Sequence, residues 1–196
     1  MDVEALPHAA TTTTTPRVTP QLEIPWTREY HAPPRNDNNN NNDDYYRDNP
    51  TPFGAILRGD DRARILDETN NLLAFVDRSP QSPTLHALII PKRYIPTIRD
   101  LSPPTDLSLL YEMEQLGQRL VSRYQCPAEY RMVFHVPPYN TVDHLHLHVL
   151  CNRDLSLFGR TVKYVYDTPW CISLPTLIRQ QQEQLSRNRN SPNSKT

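Results

Sequence analysis

Nowhere in the chain do about eighteen apolar residues follow one another, and no basic N-terminal stretch leads into an apolar run. This excludes a hydrophobic helical span and the usual secretory leader. The expectation is a protein with no membrane partner, in the cytoplasm, the nucleus or both. Cys126, Cys151 and Cys171 are odd in number, widely separated and form no C-x-x-C pair. Neither a disulfide framework nor a zinc knuckle is suggested, and free thiols are expected. Lys and Arg total 21 against 22 Asp and Glu, so no basic surplus marks an extended nucleic-acid surface. Residues 1–52 lack apolar periodicity: they hold the threonines Thr11 to Thr15, scattered prolines and an Asn/Asp run from Asn36 to Asp44. Such an arm buries too little apolar surface to offset its ordering entropy, and it is expected to be disordered, with Leu22 to Trp26 its one apolar patch. The polar residues 186–196 are expected to form a second disordered tail.

Between these ends, residues 53–185 read as one domain. Phe53 to Arg58 suggests a short helical or irregular entry, followed by strands at Ala63 to Glu68 and Leu72 to Asp77 around the turn Thr69-Asn70-Asn71. A buried strand follows at Leu85 to Ile90, stopped by Pro91. Ser102-Pro103-Pro104-Thr105-Asp106 has the character of a helix start, and Leu109, Leu110, Met113, Leu116, Leu120 and Val121 recur at helical steps to about Tyr124. Gly117 inside that helix marks close packing. Tyr130 to His135 reads as a strand, Val162 to Tyr166 as another, and Leu174 to Leu185 as a closing helix. Strands on both sides of one long helix, with hairpin connections, predict an α+β fold on an antiparallel sheet.

The chemistry concentrates in Asp143-His144-Leu145-His146-Leu147-His148-Val149-Leu150-Cys151. In an extended strand alternate side chains share a face, so the three imidazoles would point one way and the leucines the other. Side chains two apart are separated by roughly 6.5–7 Å along a strand, too far for all three to hold one zinc ion, although two could converge. Covalent catalysis by a central imidazole, with its neighbours orienting it and exchanging protons, uses all three. Three histidines packed on a half-buried strand are the bland alternative. His86, a polar residue inside an apolar strand, also fits a site better than unpaired burial.

The string His144-x-His146-x-His148-Val149-Leu150, preceded by Thr141-Val142, resembles the signature of the histidine triad family of nucleotide hydrolases and transferases. Other segments are similar to its Hint-type branch: Phe53-Gly54-x-Ile56-Leu57-Arg58, Leu73 to Gln81, His86 to Arg93, and Tyr130 to Val133. Phe134-His135-Val136-Pro137-Pro138, Leu157-Phe158, Tyr164-x-Tyr166 and Pro169 to Ile172 resemble the third subgroup, the adenosine 5'-monophosphoramidases. Three features depart from the Hint pattern. One extra residue lies between Gln81 and His86, Val136 to Asn140 replaces a Gly-rich segment, and His135 stands where most Hint proteins have Asn.

The resemblance implies a domain that cleaves AMP-linked phosphoramidates or related adenylates of a purine nucleotide, with His146 as nucleophile in a nucleotidyl-histidine mechanism. It makes His144, His148 and His86 its catalytic neighbours, Thr141 and His135 phosphate or leaving-group contacts, and Asp77 the ribose contact. Phe53, Ile56 and Phe75 would enclose the base. Lys92 and Arg93 could draw in anions, although a solvated turn is the simpler view of both. No cofactor or metal is required, Mg2+ being only a companion of a polyphosphate substrate. Turnover is expected to fall in acid as His146 protonates, and a homodimer through the long helix and sheet edge is expected. Rival activities are dinucleoside polyphosphate hydrolysis, cap scavenging and aprataxin-like deadenylation, the last weakened by the absent zinc finger. A nucleotide-binding regulatory module with little turnover is the rival of another class, and a metal-dependent hydrolase the third.

Overall fold

Thr51 begins the folded body by capping a helix: its hydroxyl accepts from the Gly54 N–H, and Pro52 occupies the first turn. The computed structural model describes residues 26–30, 48–126 and 129–190. Helix α1 (Pro52–Arg58) ends at Gly59, whose φ of 78° is the left-handed conformation of a glycine cap. The hairpin β2 (Arg64–Glu68) and β3 (Leu72–Val76) follows, then β4 (His86–Pro91), the long helix α2 (Thr105–Arg123), β5 (Tyr130–His135) and β6 (Leu147–Cys151). Strand β7 (Cys171–Ser173) and helix α3 (Leu174–Asn190) close the chain.

With a short strand β1 (Arg28–Glu29), all strands form one antiparallel sheet in the order β1-β2-β3-β4-β6-β5-β7. One face carries the main core, where Ala74, Ala87, Ile89, Met132, Leu147 and Val149 meet the apolar stripe of α2. Gly117 is the point of closest approach, since a Cβ there would stand 2.7 Å from the Met132 methyl carbon. On the other face α1 and Tyr30 pack over Ile65, Leu73, Phe75, Leu88 and Ile90, and a smaller cluster gathers Val133, Leu150, Leu155, Tyr164 and Cys171. That second face holds the site.

Several expectations change. Most of the supposed disordered arm 1–52, including Leu22 to Ile24, lies outside the described residues. Two pieces of it are ordered: residues 28–29 pair with β2, and Asn49 is buried because its amide has partners inside the fold. The tail beginning at 186 is helical as far as Asn190. Val162 to Tyr166 is not a strand but the end of a π-type turn, Gly159–Lys163, and the turns after it. The available edge of β5 pairs with β7, and Tyr164 turns inward to become fully buried. Pro104, not Ser102, precedes α2 and makes no side-chain cap; buried Asp106 reaches back instead to the Ser102 N–H at 2.6 Å. No helix among the described residues is long and apolar enough to cross a membrane. Cys126, Cys151 and Cys171 are free. The surfaces expected to join a homodimer are partly taken within the chain, as β7 pairs with Val133 to His135 and Gln182 of α3 bonds to Tyr111 of α2.

Candidate active site

Strand β6 begins only at Leu147, so His144 and His146 lie in the irregular approach to it, contrary to the expectation of one straight strand. The ladder with β4 ends at the Ile89–Leu147 pair, and the Leu145 N–H bonds to the Ile95 carbonyl instead. This bend changes what each imidazole can do. His144 turns into the protein and is fully buried, with Nε2 2.9 Å from the Pro91 carbonyl and Nδ1 2.6 Å from the Asn49 amide nitrogen. A carbonyl can only accept, so the His144 proton sits on Nε2 and its Nδ1 accepts from Asn49.

The same reasoning fixes His146. Its Nδ1 lies 2.6 Å from the His144 carbonyl and must donate to it. Nε2 then carries the lone pair, and no hydrogen bond engages it among the described residues. Burial lowers the pKa, with the His144 carbonyl and Asp77 opposing and Lys163 adding to the fall. His146 is therefore a neutral imidazole with its free nitrogen uncommitted.

His86, His148 and His135 form a chain of a different kind. The Gln81 N–H donates to His86 Nδ1 at 3.0 Å, which puts the His86 proton on Nε2. That nitrogen lies 3.0 Å from His148 Nδ1, so the His148 proton is on Nε2, 3.1 Å from His135 Nδ1. His135 Nε2 ends the chain as a buried donor without a hydrogen-bond partner of good geometry; the nearby Lys163 carbonyl only partly serves it. Burial, the first cause in each case, pushes His86, His135 and His144 down to about 4 and His148 well below its usual range. Both nitrogens of His148 are thus committed, and it is not equivalent to His146.

The remaining candidates divide. Asp77 stands opposite His86 at the end of the hairpin strand, its Oδ2 3.4 Å from His86 Nε2 and its Oδ1 accepting from the Ser79 N–H at 2.7 Å. It is at once a turn-starting Asp and a neighbour of the histidines. Phe53, Ile56 and Phe75 do come together: the Phe53 ring lies 5.6 Å from Phe75 and 5.3 Å from His146. They form a closed cluster under Tyr30, with Phe53 8% exposed. Thr141 is exposed on the turn before His144. The segment that replaces a Gly-rich loop is tied in place, since Arg99 donates to the Pro137 carbonyl at 2.8 Å and Asn140 to Asp143 at 2.7 Å. A crevice bounded by Thr97, His135, Asn140, Val142, His144 and His146 reaches the centre. Lys92 and Arg93 point their charge elsewhere, to Glu68 at 2.7 Å and to Asp106.

Donor atoms of His135, His146 and His148, and of Asp77, His86 and His148, lie within 4.8 Å of one another, close enough to consider a metal. Both sets require His148, whose nitrogens already serve the imidazole chain, so a metal would have to break it.

Sequence reasoning missed three residues. Asn49 holds His144 yet stands in a polar stretch with no periodicity. Tyr164, fully buried, packs 5.3–5.6 Å from His86, His135 and His148. Lys163 precedes it, with Nζ 5.2 Å from the centre of the Tyr164 ring. A lone Asn before Pro50 was the only local signal for the first, and the alternating Val162 to Tyr166 misdirected the other two.

Comparison with known proteins gives a consistent picture. The family model described as "Scavenger mRNA decapping enzyme C-term binding" matches residues 50–163. The chain is 40% identical over 97 residues to the bifunctional adenosine 5'-phosphosulfate phosphorylase/adenylylsulfatase HINT4 of Arabidopsis thaliana, covering 49% of this chain and 66% of that protein. It is 40% identical over 101 residues to the adenosine 5'-monophosphoramidase HINT3 of Danio rerio, covering 50% and 62%. The matches thus span less than two thirds of either relative. A crystal structure of a Streptococcus mutans UA159 protein aligns with a TM-score of 0.52 at 20% identity, over 72% of this chain and 87% of that one, which shows a shared fold.

Proposed function

Because the chain belongs to the histidine triad family, we propose that it is a nucleotide hydrolase that cleaves AMP-linked phosphoramidates or related adenylates through a nucleotidyl-histidine intermediate. The observation that carries this reading is the uncommitted lone pair of His146 Nε2, beside His144, His86 and His148, whose nitrogens are all tied to protein groups. In the reaction Nε2 attacks the α-phosphorus, the bond to the leaving group breaks with its electron pair, and the nucleotide is joined to the imidazole. Positive charge then develops on the ring, where the His144 carbonyl meets the Nδ1 proton and stabilises it. Water attacks the same phosphorus in the second step, the P–N electron pair returns to His146, and AMP leaves as a proton is released.

In this reading Phe53, Ile56 and Phe75, which lie beside His146, would receive the base and Asp77 the ribose, as the family resemblance implies. No metal is needed for either step. In this reading a homodimer would use a surface beyond the part of the β5 edge that β7 occupies, and light scattering tests whether one forms.

The test is intact mass after rapid quenching of the wild-type protein and His146→Ala with an adenosine phosphoramidate, alongside AMP release. The wild type should gain one adenylyl group transiently and release AMP, and the variant should do neither. A second reading, a nucleotide-binding module with little turnover, is favoured by the segment Val136 to Asn140, which replaces a Gly-rich loop and is tied in place through Pro137 and Asn140. AMP binding by the wild type with neither adduct nor product would establish it and overturn the first.

A further inference from the structure

Phe53, Ile56 and Phe75 are too deeply covered to touch a base as they stand. They are 8%, 2% and 3% exposed, and Tyr30, in the same cluster, is 7% exposed. A base stacks only on ring faces it can reach, so one member of the cluster has to move before a nucleotide enters. Most members are firmly held. Phe53 and Ile56 stand on α1, which is capped at both ends and tied through Arg58 to the Asn49 carbonyl at 2.7 Å. Phe75 and Leu88 belong to β3 and β4, each paired on both sides. Val142, which packs on the cluster from the crevice side, is on the loop fixed by the bond between Asn140 and Asp143.

Tyr30 is held differently. Strand β1 is two residues long and lies at the edge of the sheet, where the Thr27 N–H donates to the Ile65 carbonyl at 2.8 Å and the Tyr30 N–H to the Ala63 carbonyl at 3.2 Å. Arg28 pairs with Glu68 on the surface, and Glu68 keeps Lys92 at 2.7 Å as a second partner. Lifting β1 therefore leaves no buried charge behind, and it returns the Ala63 and Ile65 carbonyls to water at a sheet edge. It also withdraws one aromatic ring from the cluster, which opens a slot of similar breadth for a planar base.

We infer that Tyr30 is the residue a base displaces, an intramolecular occupant of the base site that sets how tightly a nucleotide binds. This rests on the proposed nucleotide site and adds the residue that governs access to it. The nucleotide binds only those molecules in which β1 is lifted, so the apparent Kd is the intrinsic value divided by that fraction. Burial of one aromatic ring holds the fraction to about one in ten or less.

The experiment is calorimetry with AMP on the wild type, Tyr30→Ala and Arg28→Ala, joined to hydrogen exchange of residues 27–30 with and without AMP. Tyr30→Ala should lower the Kd by about ten-fold. Arg28→Ala, which loosens β1 and leaves the cluster whole, should lower it by about two-fold. In the wild type AMP should speed exchange of the Thr27 and Tyr30 N–H groups. A further protein carries Glu29→Cys and Arg64→Cys, directly opposed positions of β1 and β2 that a disulfide can join. Oxidised, it should bind AMP at least about ten-fold more weakly than when reduced. Slower exchange with AMP, together with weaker binding by Tyr30→Ala, would make Tyr30 a fixed wall of the site and overturn the assignment. Equal affinity in the oxidised and reduced proteins would overturn it too, while leaving the nucleotide site standing. AMP binding by none of these proteins would overturn the nucleotide reading and this inference together.

Discussion

The Nδ1–H of His146 bonds to the carbonyl oxygen of His144, two residues before it, at 2.6 Å. One short contact therefore sets the tautomer of the proposed nucleophile, and it depends on how His144 itself is held. His144 is anchored at both nitrogens, by Asn49 and by the Pro91 carbonyl. The free lone pair of His146 is thus the last link in a line that starts in the residues before α1.

Replacing Asn49 by Ala should reach the proposed nucleophile, His146, without touching it. His144 Nδ1 would lose its donor in a buried place, a loss on the order of 1–3 kcal/mol. Urea denaturation should show that fall, and kcat should drop while KM changes little. Unchanged kcat in a destabilised variant would limit Asn49 to folding.

The acid limb of the rate should lie below the usual histidine range. Burial favours neutral His146, so kcat/KM should hold level as pH falls from 8 to about 6.5 and decline only below that. A midpoint at or above 6.5 would contradict the environment described for this imidazole.

Stability has a related pH dependence. His86, His135 and His144 are held to about 4 in the fold, whereas an unfolded histidine titrates near about 6.5. Between these values the unfolded chain binds more protons. The stabilisation from neutral imidazoles is complete above about 6.5 and drains away as pH falls towards 4. Urea midpoints measured across that range should drop, and less steeply in a His135→Asn variant.

Two glycines should respond differently to Ala. A Cβ on Gly54 would stand 2.3 Å from the Asn49 carbonyl oxygen, a backbone atom beside the amide that holds His144. The change should cost about 1–3 kcal/mol and lower activity as well. A Cβ on Gly117 meets the end of the flexible Met132 side chain. The gain in helix propensity, about 0.8–1.0 kcal/mol, should offset much of that crowding. Thermal melts and kcat for the two proteins check both statements.

Tyr164→Phe should be tolerated in stability, because the buried hydroxyl has no hydrogen-bond partner to lose. Tyr164→Ala should cost about 3–5 kcal/mol through the cavity it leaves. It should also loosen His86 and His148, which would appear as broadened imidazole resonances. Equal melts for the Ala and Phe variants would show that the ring does not brace the histidines.

Much of the sheet could be read from local patterning: short apolar runs bounded by turn residues and prolines marked β2, β3 and β4, and the three- and four-residue steps of apolar residues marked α2. His86, His144, His146 and His148 were legible as polar residues in apolar runs, whereas Asp77 was pointed to only by the family resemblance. Their convergence was not, since it depends on register, with Leu88 opposite His148 and His148 opposite Val133. The bend at His144 and His146 was also hidden. It arises because the ladder with β4 stops at Leu147, a fact of tertiary pairing without a local signature. Lys163 and Tyr164 sat in an alternating stretch that would have made a good strand had β7 not taken the edge of β5.

The bond between Asn49 and His144 spans 95 positions of sequence and joins the threshold of α1 to the approach of β6. A protein trimmed to start at Phe53 would keep every strand from β2 onward and the whole of α2, so its circular dichroism should look nearly intact. It would nevertheless have lost the clasp on His144 and the Thr51 cap on α1. That shortened protein should therefore separate folding from function, keeping its secondary structure while His144, and through it the His146 tautomer, loses its fixed position.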